Sequence, residues 1–186
     1  MVYKHNYRTP AGFSDMIMTG DGEYLTGLWF DRSKDTQKHD TECEEKDLEI
    51  FRLTREWLDV YFSGGVPDFT PEYRLENVTP FRQEVVDIMN NISYGEVITY
   101  KDIADQIAEK RNMAKMSAQA VGGAVGWNPI CIIIPCHRVV GSNHSLTGYG
   151  GGINNKLHLL ELEGINTADY SVPTKGTALQ RPGQKI

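Results

Sequence analysis

Cysteine is scarce in this chain. Its 186 residues carry three, Cys43, Cys131 and Cys136, an odd number at irregular spacing. That argues against a disulfide framework and for a reducing, cytoplasmic setting. No early stretch joins a basic start to an apolar run and a small-residue cleavage site, so no secretory signal is expected. No apolar run approaches the roughly 20 residues needed to cross a bilayer. Internal repeats are lacking. Acid is missing from one long stretch: between Glu109 and Glu161 there is none, while Lys110, Arg111, Lys115, Arg138 and Lys156 fall inside it. The net charge of −6 speaks against nucleic acid, but the distribution is uneven. Residues 1–80 hold 16 acids against 9 bases, and residues 81–186 hold 9 against 10. A solvated, lysine-bearing loop explains the basic stretch as readily as a polyanion-binding face does.

The length and apolar content allow one large domain or two small ones with a real core. Residues 12–30 read as a β-hairpin turning at Gly20-Asp21-Gly22-Glu23, and residues 31–47 as a charged loop. Leu48 to Phe62 has helical spacing and stops at Gly64-Gly65. A domain boundary falls near residues 77–79. Thr79-Pro80 starts a helix to about Ile92, Thr99 caps a second, and Ser117 caps a third, Ala118 to Gly126. The last two, with a basic connector between them, form a helix-turn-helix pattern. A glycine-rich stretch, residues 148–152, precedes an amphipathic helix from about Asn155 to Glu163. The tail after Ile165 reads as mobile.

Residues 130–140 carry the chemistry. Ile130 to Ile134 is a continuous apolar run expected as a buried strand; Pro135 ends it, and Cys136, His137 and Arg138 follow directly. A thiol is only a few per cent ionised at neutral pH, roughly, and needs a base or a positive field to be a nucleophile. His137 and Arg138 can supply these. On an extended strand, however, adjacent side chains point to opposite faces, so a turn after Pro135 or a bridging water is required. The competing reading is a buried, inert Cys136 beside a surface histidine. A metal set of Cys131, Cys136, His137 and His144 matches no usual zinc spacing, and the local signatures of papain-like proteases are absent.

Pro135-Cys136-His137-Arg138-Val139 resembles the active-site motif of the O6-alkylguanine-DNA alkyltransferases. The resemblance extends in order and spacing through Tyr94-Gly95-Glu96-Val97, Thr99-Tyr100, Ala120-Val121-Gly122-Gly123-Ala124, Asn128-Pro129, Gly148-Tyr149 with Gly151-Gly152, Lys156, Leu159-Leu160 and Glu163-Gly164. It is strong over residues 79–164 and weaker over 12–78. It implies an α/β amino-terminal domain over residues 1–78, ribonuclease-H-like, with a small antiparallel sheet plus helix. A mainly α catalytic and DNA-binding domain with a helix-turn-helix would follow over 79–165, and a mobile tail over 166–186.

The resemblance also implies a reaction. Cys136 would accept the alkyl group from O6 of guanine, or O4 of thymine, once and irreversibly, after the nucleotide flips out of the duplex. His137, working through a water and held by Glu163, would take the thiol proton. Tyr100 would serve the base at N3, and the Gly150 N–H would face O6. The carbonyls of Cys136 and Val139 would accept from the exocyclic amine, Asn128 would brace the turn, and Lys156 would lie near the site. Ser117, Gln119, Ala120, Gly123 and Arg138 would meet double-stranded DNA in the minor groove. Gln119 departs from the family, many members of which have arginine there; Lys110, Arg111 and Lys115 would then contribute more to affinity. Gly150 stands where some relatives have serine. No cofactor or metal is expected: the zinc site of some relatives finds no convincing partners in Cys43 and His39. The protein would act as a monomer. One alternative is a non-catalytic alkyltransferase-like lesion binder, but these typically have tryptophan in place of the motif cysteine. Another is a regulator that senses alkylation, for which this length leaves little room.

Overall fold

A computed structural model describes residues 1–38 and 42–172. His39, weighed above as a zinc partner, and residues 173–186 of the tail lie outside the described residues. The chain divides into two compact units: Met1–Asn77 with Pro129–Ile133, and Val78–Asn128 with the chain from Ile134 onward.

In the first unit, β1 (Tyr3–Tyr7), β2 (Met16–Gly20) and β3 (Leu25–Phe30) form an antiparallel meander, with Tyr7 opposite Met16 and Met16 opposite Phe30. A two-residue strand, β4 (Glu44–Glu45), pairs parallel to β1, giving the order β3-β2-β1-β4. The sheet is therefore mixed, where an antiparallel one was expected, and the charged stretch after Phe30 contributes to it. Neither β1 nor β4 carries an aliphatic signal. β1 turns only Tyr3, His5 and Tyr7 inward, and both residues of β4 are exposed. The helix α1 (Glu49–Phe62) buries Ile50, Phe51, Thr54, Trp57, Leu58, Tyr61 and Phe62 along one face. That face covers the sheet: the His5 ring stacks on Phe51 and the Tyr7 ring on Phe62, each at 6.0 Å, and the Tyr7 hydroxyl donates to Asp59 at 2.8 Å. Each fully buried large apolar side chain here is worth about 1.5–3 kcal/mol.

Pro129–Ile133 completes this unit beside β3. Leu28 donates its N–H to the Pro129 carbonyl at 2.9 Å, and Cys131 donates to the Leu28 carbonyl at 2.8 Å. The apolar run is buried as expected except for the half-buried Ile133, but it is not a strand. Ile132 has φ +70, and the Ile133 N–H returns to the Cys131 carbonyl at 2.9 Å, closing a γ-turn. A continuous apolar run favours burial whatever its backbone, and its pattern does not require an extended one.

The second unit is mainly helical. Thr79 caps α2 (Pro80–Asn90), its hydroxyl accepting from Arg82 N at 3.2 Å. Thr99 caps α3 (Tyr100–Lys110) in a reciprocal box with Asp102, and Ser117 caps α4 (Ala118–Trp127), accepting from Ala120 N at 3.3 Å. Val85, Val86, Met89, Ile103, Ile107, Val121 and Val125 are buried. The strands β5 (Ile98–Thr99) and β6 (Val139–Val140) pair in parallel, and α5 (Ile153–Leu162) packs with Val140 and Leu146. Beyond Ile165 the described chain runs to Val172: Leu146 N–H donates to the Ser171 carbonyl at 2.8 Å, and Ser171 N–H to the His144 carbonyl at 3.1 Å. Among the described residues no helix is long and apolar enough to cross a membrane.

Candidate active site

Pro135 bends the chain. Its φ −81 and ψ 60 are those of an inverse γ-turn, closed by the Cys136 N–H on the Ile134 carbonyl at 2.8 Å. Cys136–Arg138 then forms one 3-10 turn before β6. This removes the strand-face problem, because consecutive side chains on a tight turn fan out instead of alternating. Cys136 is 5% exposed and His137 is fully buried. Asn128, at the end of α4, fixes the turn from below: its Nδ2 donates to the Ile134 carbonyl at 3.0 Å and meets Cys136 Sγ at 3.1 Å.

Glu163 closes the site from the end of α5. Its Oε1 lies 2.7 Å from His137 Nε2. Arg138 grips both oxygens, Nε to Oε2 at 2.8 Å and Nη2 to Oε1 at 3.0 Å. The Gly95 N–H donates to Oε2 at 3.1 Å, and the Tyr94 hydroxyl donates to the Leu162 carbonyl at 3.1 Å. Gly95 has φ +77, and a Cβ there would sit 3.1 Å from the Glu163 carbonyl, so this approach requires glycine. Burial pushes the Glu163 carboxyl up, but the His137 and Arg138 contacts prevail and hold it down at about 2. Burial pushes His137 below its ordinary 6.5; Glu163 opposes this, while Arg138 and Lys156 add to it. With Glu163 ionised, Nε2 carries the ring proton and Nδ1 the lone pair.

Two further groups converge on the carbonyl of Thr147. The Tyr100 hydroxyl donates to it at 3.0 Å, and Lys156 Nζ lies 3.3 Å from it while donating to the Val139 carbonyl at 2.6 Å. Lys156 is fully buried, and burial lowers its ammonium from 10.5 to about 8 against the field of Cys136. Burial and the same sulfur raise the Tyr100 phenol. Gly148 has φ +69, and a Cβ on it would stand 2.9 Å from the Tyr100 oxygen. Gly150, in the same loop, is half-buried. The assembly suits a thiol that must attack an electrophilic carbon: a nucleophile, a neutral imidazole oriented by a carboxylate, and a phenol near the sulfur.

Cys136, His137, Glu163, Asn128, Tyr100, Val139 and Lys156 thus fall in one neighbourhood. Ser117, Gln119, Ala120 and Gly123 lie elsewhere, all exposed on α4, with nothing within 4 Å of a Cβ built on Gly123. Arg138, expected to face DNA, instead has a side chain only 11% exposed and committed to Glu163. Of the three bases expected to add affinity, Arg111 pairs with Glu84 at 2.9 Å and Lys110 approaches the same carboxylate at 3.9 Å, while Lys115 is exposed. Sequence reasoning missed Gly95, Thr147 and Ile92. They act through backbone atoms, which leave no side-chain signature; Gly95 alone stood within a recognised motif. Among the described residues no group of three His, Cys, Asp or Glu side chains could hold a metal ion.

Comparison with known proteins follows the same residues. The family model for 6-O-methylguanine DNA methyltransferase, DNA binding domain, matches residues 80–165. A methylated-DNA–protein-cysteine methyltransferase of Haemophilus influenzae is 35% identical over 181 residues, covering 97% of this chain and 94% of that protein. One from Mycobacterium tuberculosis is 40% identical over 163 residues, covering 88% and 93%. A crystal structure of the Mycobacterium tuberculosis protein OGT in complex with DNA superposes with a TM-score of 0.72 at 38% identity, covering 87% of this chain and 92% of that one. On identity and coverage together, this chain belongs to the methylated-DNA–protein-cysteine methyltransferase family.

Proposed function

We propose that the protein repairs alkylated DNA by direct reversal, taking the alkyl group from O6-alkylguanine, and from O4-alkylthymine, onto Cys136. The observation that carries this reading is the buried Cys136–His137–Glu163 arrangement with Asn128 on the sulfur. The thiol proton passes to His137 Nδ1 through a water, and Sγ attacks the alkyl carbon. The carbon–O6 bond breaks with its electron pair going to the base, and the Tyr100 hydroxyl supplies N3 with a proton or hydrogen bond. The product is a thioether. Nothing in the arrangement removes it, so each molecule acts once. The Gly150 N–H serves O6, the Cys136 and Val139 carbonyls serve the exocyclic amine, and Lys156 supports both from below.

A base inside a duplex is out of reach of a buried thiol, so the nucleotide must be extruded. In this reading α3 and α4 act as a helix-turn-helix whose second helix enters the minor groove. The exposed Ser117, Gln119, Ala120 and Gly123 then meet the sugar–phosphate backbone closely because they are small or neutral. Gln119 fills the gap left by the flipped base. Residues 1–78 serve as the ribonuclease-H-like amino-terminal domain, ahead of a catalytic domain over 79–165 that lends residues 129–133 to the first unit. The protein works as a monomer in the cytoplasm, where its three cysteines stay reduced.

The test is intact mass after incubation with an oligonucleotide holding one O6-methylguanine. One methyl increment is expected, located on Cys136 and absent from Cys136→Ala. A methyl on another residue, or more than one turnover per protein, would sink the mechanism.

A further inference from the structure

Arg138 directly follows the catalytic pair, yet it points inward. All three of its side-chain nitrogens are engaged: Nε and Nη2 with the two oxygens of Glu163, and Nη1 with the Ile92 carbonyl at 2.7 Å. Its guanidinium also lies 5.7 Å from the centre of the Tyr94 ring. Oε1 of Glu163 is therefore shared between His137 Nε2, at 2.7 Å, and Arg138 Nη2, at 3.0 Å.

This sharing has a chemical consequence. A buried imidazole facing a carboxylate alone is drawn toward the imidazolium–carboxylate pair. An imidazolium has no lone pair and cannot receive the thiol proton. Arginine keeps its charge at any working pH. With Arg138 on Glu163, the buried trio of Arg138, Glu163 and neutral His137 has no net charge, whereas protonating His137 would leave one uncompensated positive charge in the interior. The other groups facing the pair do not reverse this. Lys156 on α5 is a second positive group, Tyr94 and the Gly95 N–H come from the segment before β5, Cys136 lies on the same turn, and Tyr100 on α3 faces the sulfur. We propose that Arg138 is a positioning residue for the transfer reaction: by sharing Glu163 with His137, it keeps the imidazole neutral and aimed until the thiol proton arrives. The role rests on the alkyl-transfer reading above, and it replaces the DNA contact expected for this residue.

Two measurements test it. In Cys136→Ala protein, nitrogen NMR follows His137 through a pH titration. Separately, single-turnover methyl transfer from an O6-methylguanine oligonucleotide is timed between pH 5.5 and 9 for the native chain, Arg138→Lys and Arg138→Met. With Arg138 intact, His137 is expected to remain neutral, protonated on Nε2, down to at least pH 6. In Arg138→Met it takes up its second proton about two pH units higher, and transfer at pH 6 slows about tenfold while recovering to within about threefold at pH 9. Arg138→Lys, which keeps the charge but not the two-oxygen grip, shows a smaller displacement in the same direction. An equal loss at all pH values with an unmoved His137 titration would reduce Arg138 to a structural role and overturn the proposal. An imidazolium at pH 7 in the protein with Arg138 intact would overturn it too, and that result does not depend on any Arg138 variant folding. Failure of the native chain to accept a methyl group would instead refute the proposed function.

Discussion

At the scale of single residues, the site holds one side chain that works against the fold. Lys156 is fully buried, and its lowering from 10.5 to about 8 corresponds to about 3 kcal/mol in favour of the neutral amine inside. The folded protein thus carries a penalty wherever the lysine stays charged, complete below about pH 8 and relieved as pH rises toward 10.5. Lys156→Met fills similar space without the charge. It is expected to melt no lower than the native chain at pH 7, by up to a few kcal/mol in its favour, while slowing methyl transfer by at least tenfold. A melting curve and a single-turnover rate decide this together; a variant both less stable and fully active would contradict it. Cys136 and His137 stood out in the sequence by their side chains and their adjacency, whereas Glu163, 26 residues further on, entered only through the family resemblance. Thr147 could not stand out, since its part is played by a carbonyl, and the pairing of Arg138 with Glu163 has no local signal, because the two stand 25 residues apart.

Among the elements, the helices were legible and the extended segments less so. Thr79, Thr99 and Ser117 announce helix starts by a local rule, the hydroxyl accepting an N–H three residues on. β1 and β4 exist because a neighbour pairs with them, which local sequence does not encode. The Ile130–Ile134 run shows the limit from the other side: its burial was legible and its backbone was not. On α4 the exposed face lends itself to a clean separation of stability from DNA affinity. Nothing lies within 4 Å of a Cβ on Gly123, and its backbone is helical. Gly123→Leu should therefore leave the fold equal or up to about 1 kcal/mol more stable, by removing glycine from a helix interior. It should weaken binding to an alkylated duplex at least tenfold by holding the backbone off. Unchanged affinity in a titration of labelled duplex would remove α4 from the proposed interface.

For the whole molecule, the buried charges set a response to acid. Glu163, held at about 2 against an ordinary 4.5, contributes stability that is complete above 4.5 and lost as pH falls toward 2. His137 is lowered below 6.5, so the unfolded chain takes up a proton before the folded one does, and stability also declines as pH drops below 6.5. Both effects act in the same direction. The melting temperature should begin to fall near pH 6.5 and fall more steeply below 4.5. Glu163→Gln should melt well below the native chain at pH 7, by about 3 kcal/mol, and approach it near pH 2. Melting curves across pH read both limbs, and parallel curves down to pH 2 would contradict the assignment. The partition of the chain bears on how the protein is made. The first unit is closed by residues 129–133, which leave the ribosome about fifty residues after the rest of it, so β3 waits through synthesis of α2, α3 and α4 for its last partner. That partner ends three residues before Cys136. The amino-terminal unit and the segment bearing the nucleophile are therefore completed in the same moment of translation, and a nascent chain gains its finished first core only as it gains its reactive sulfur.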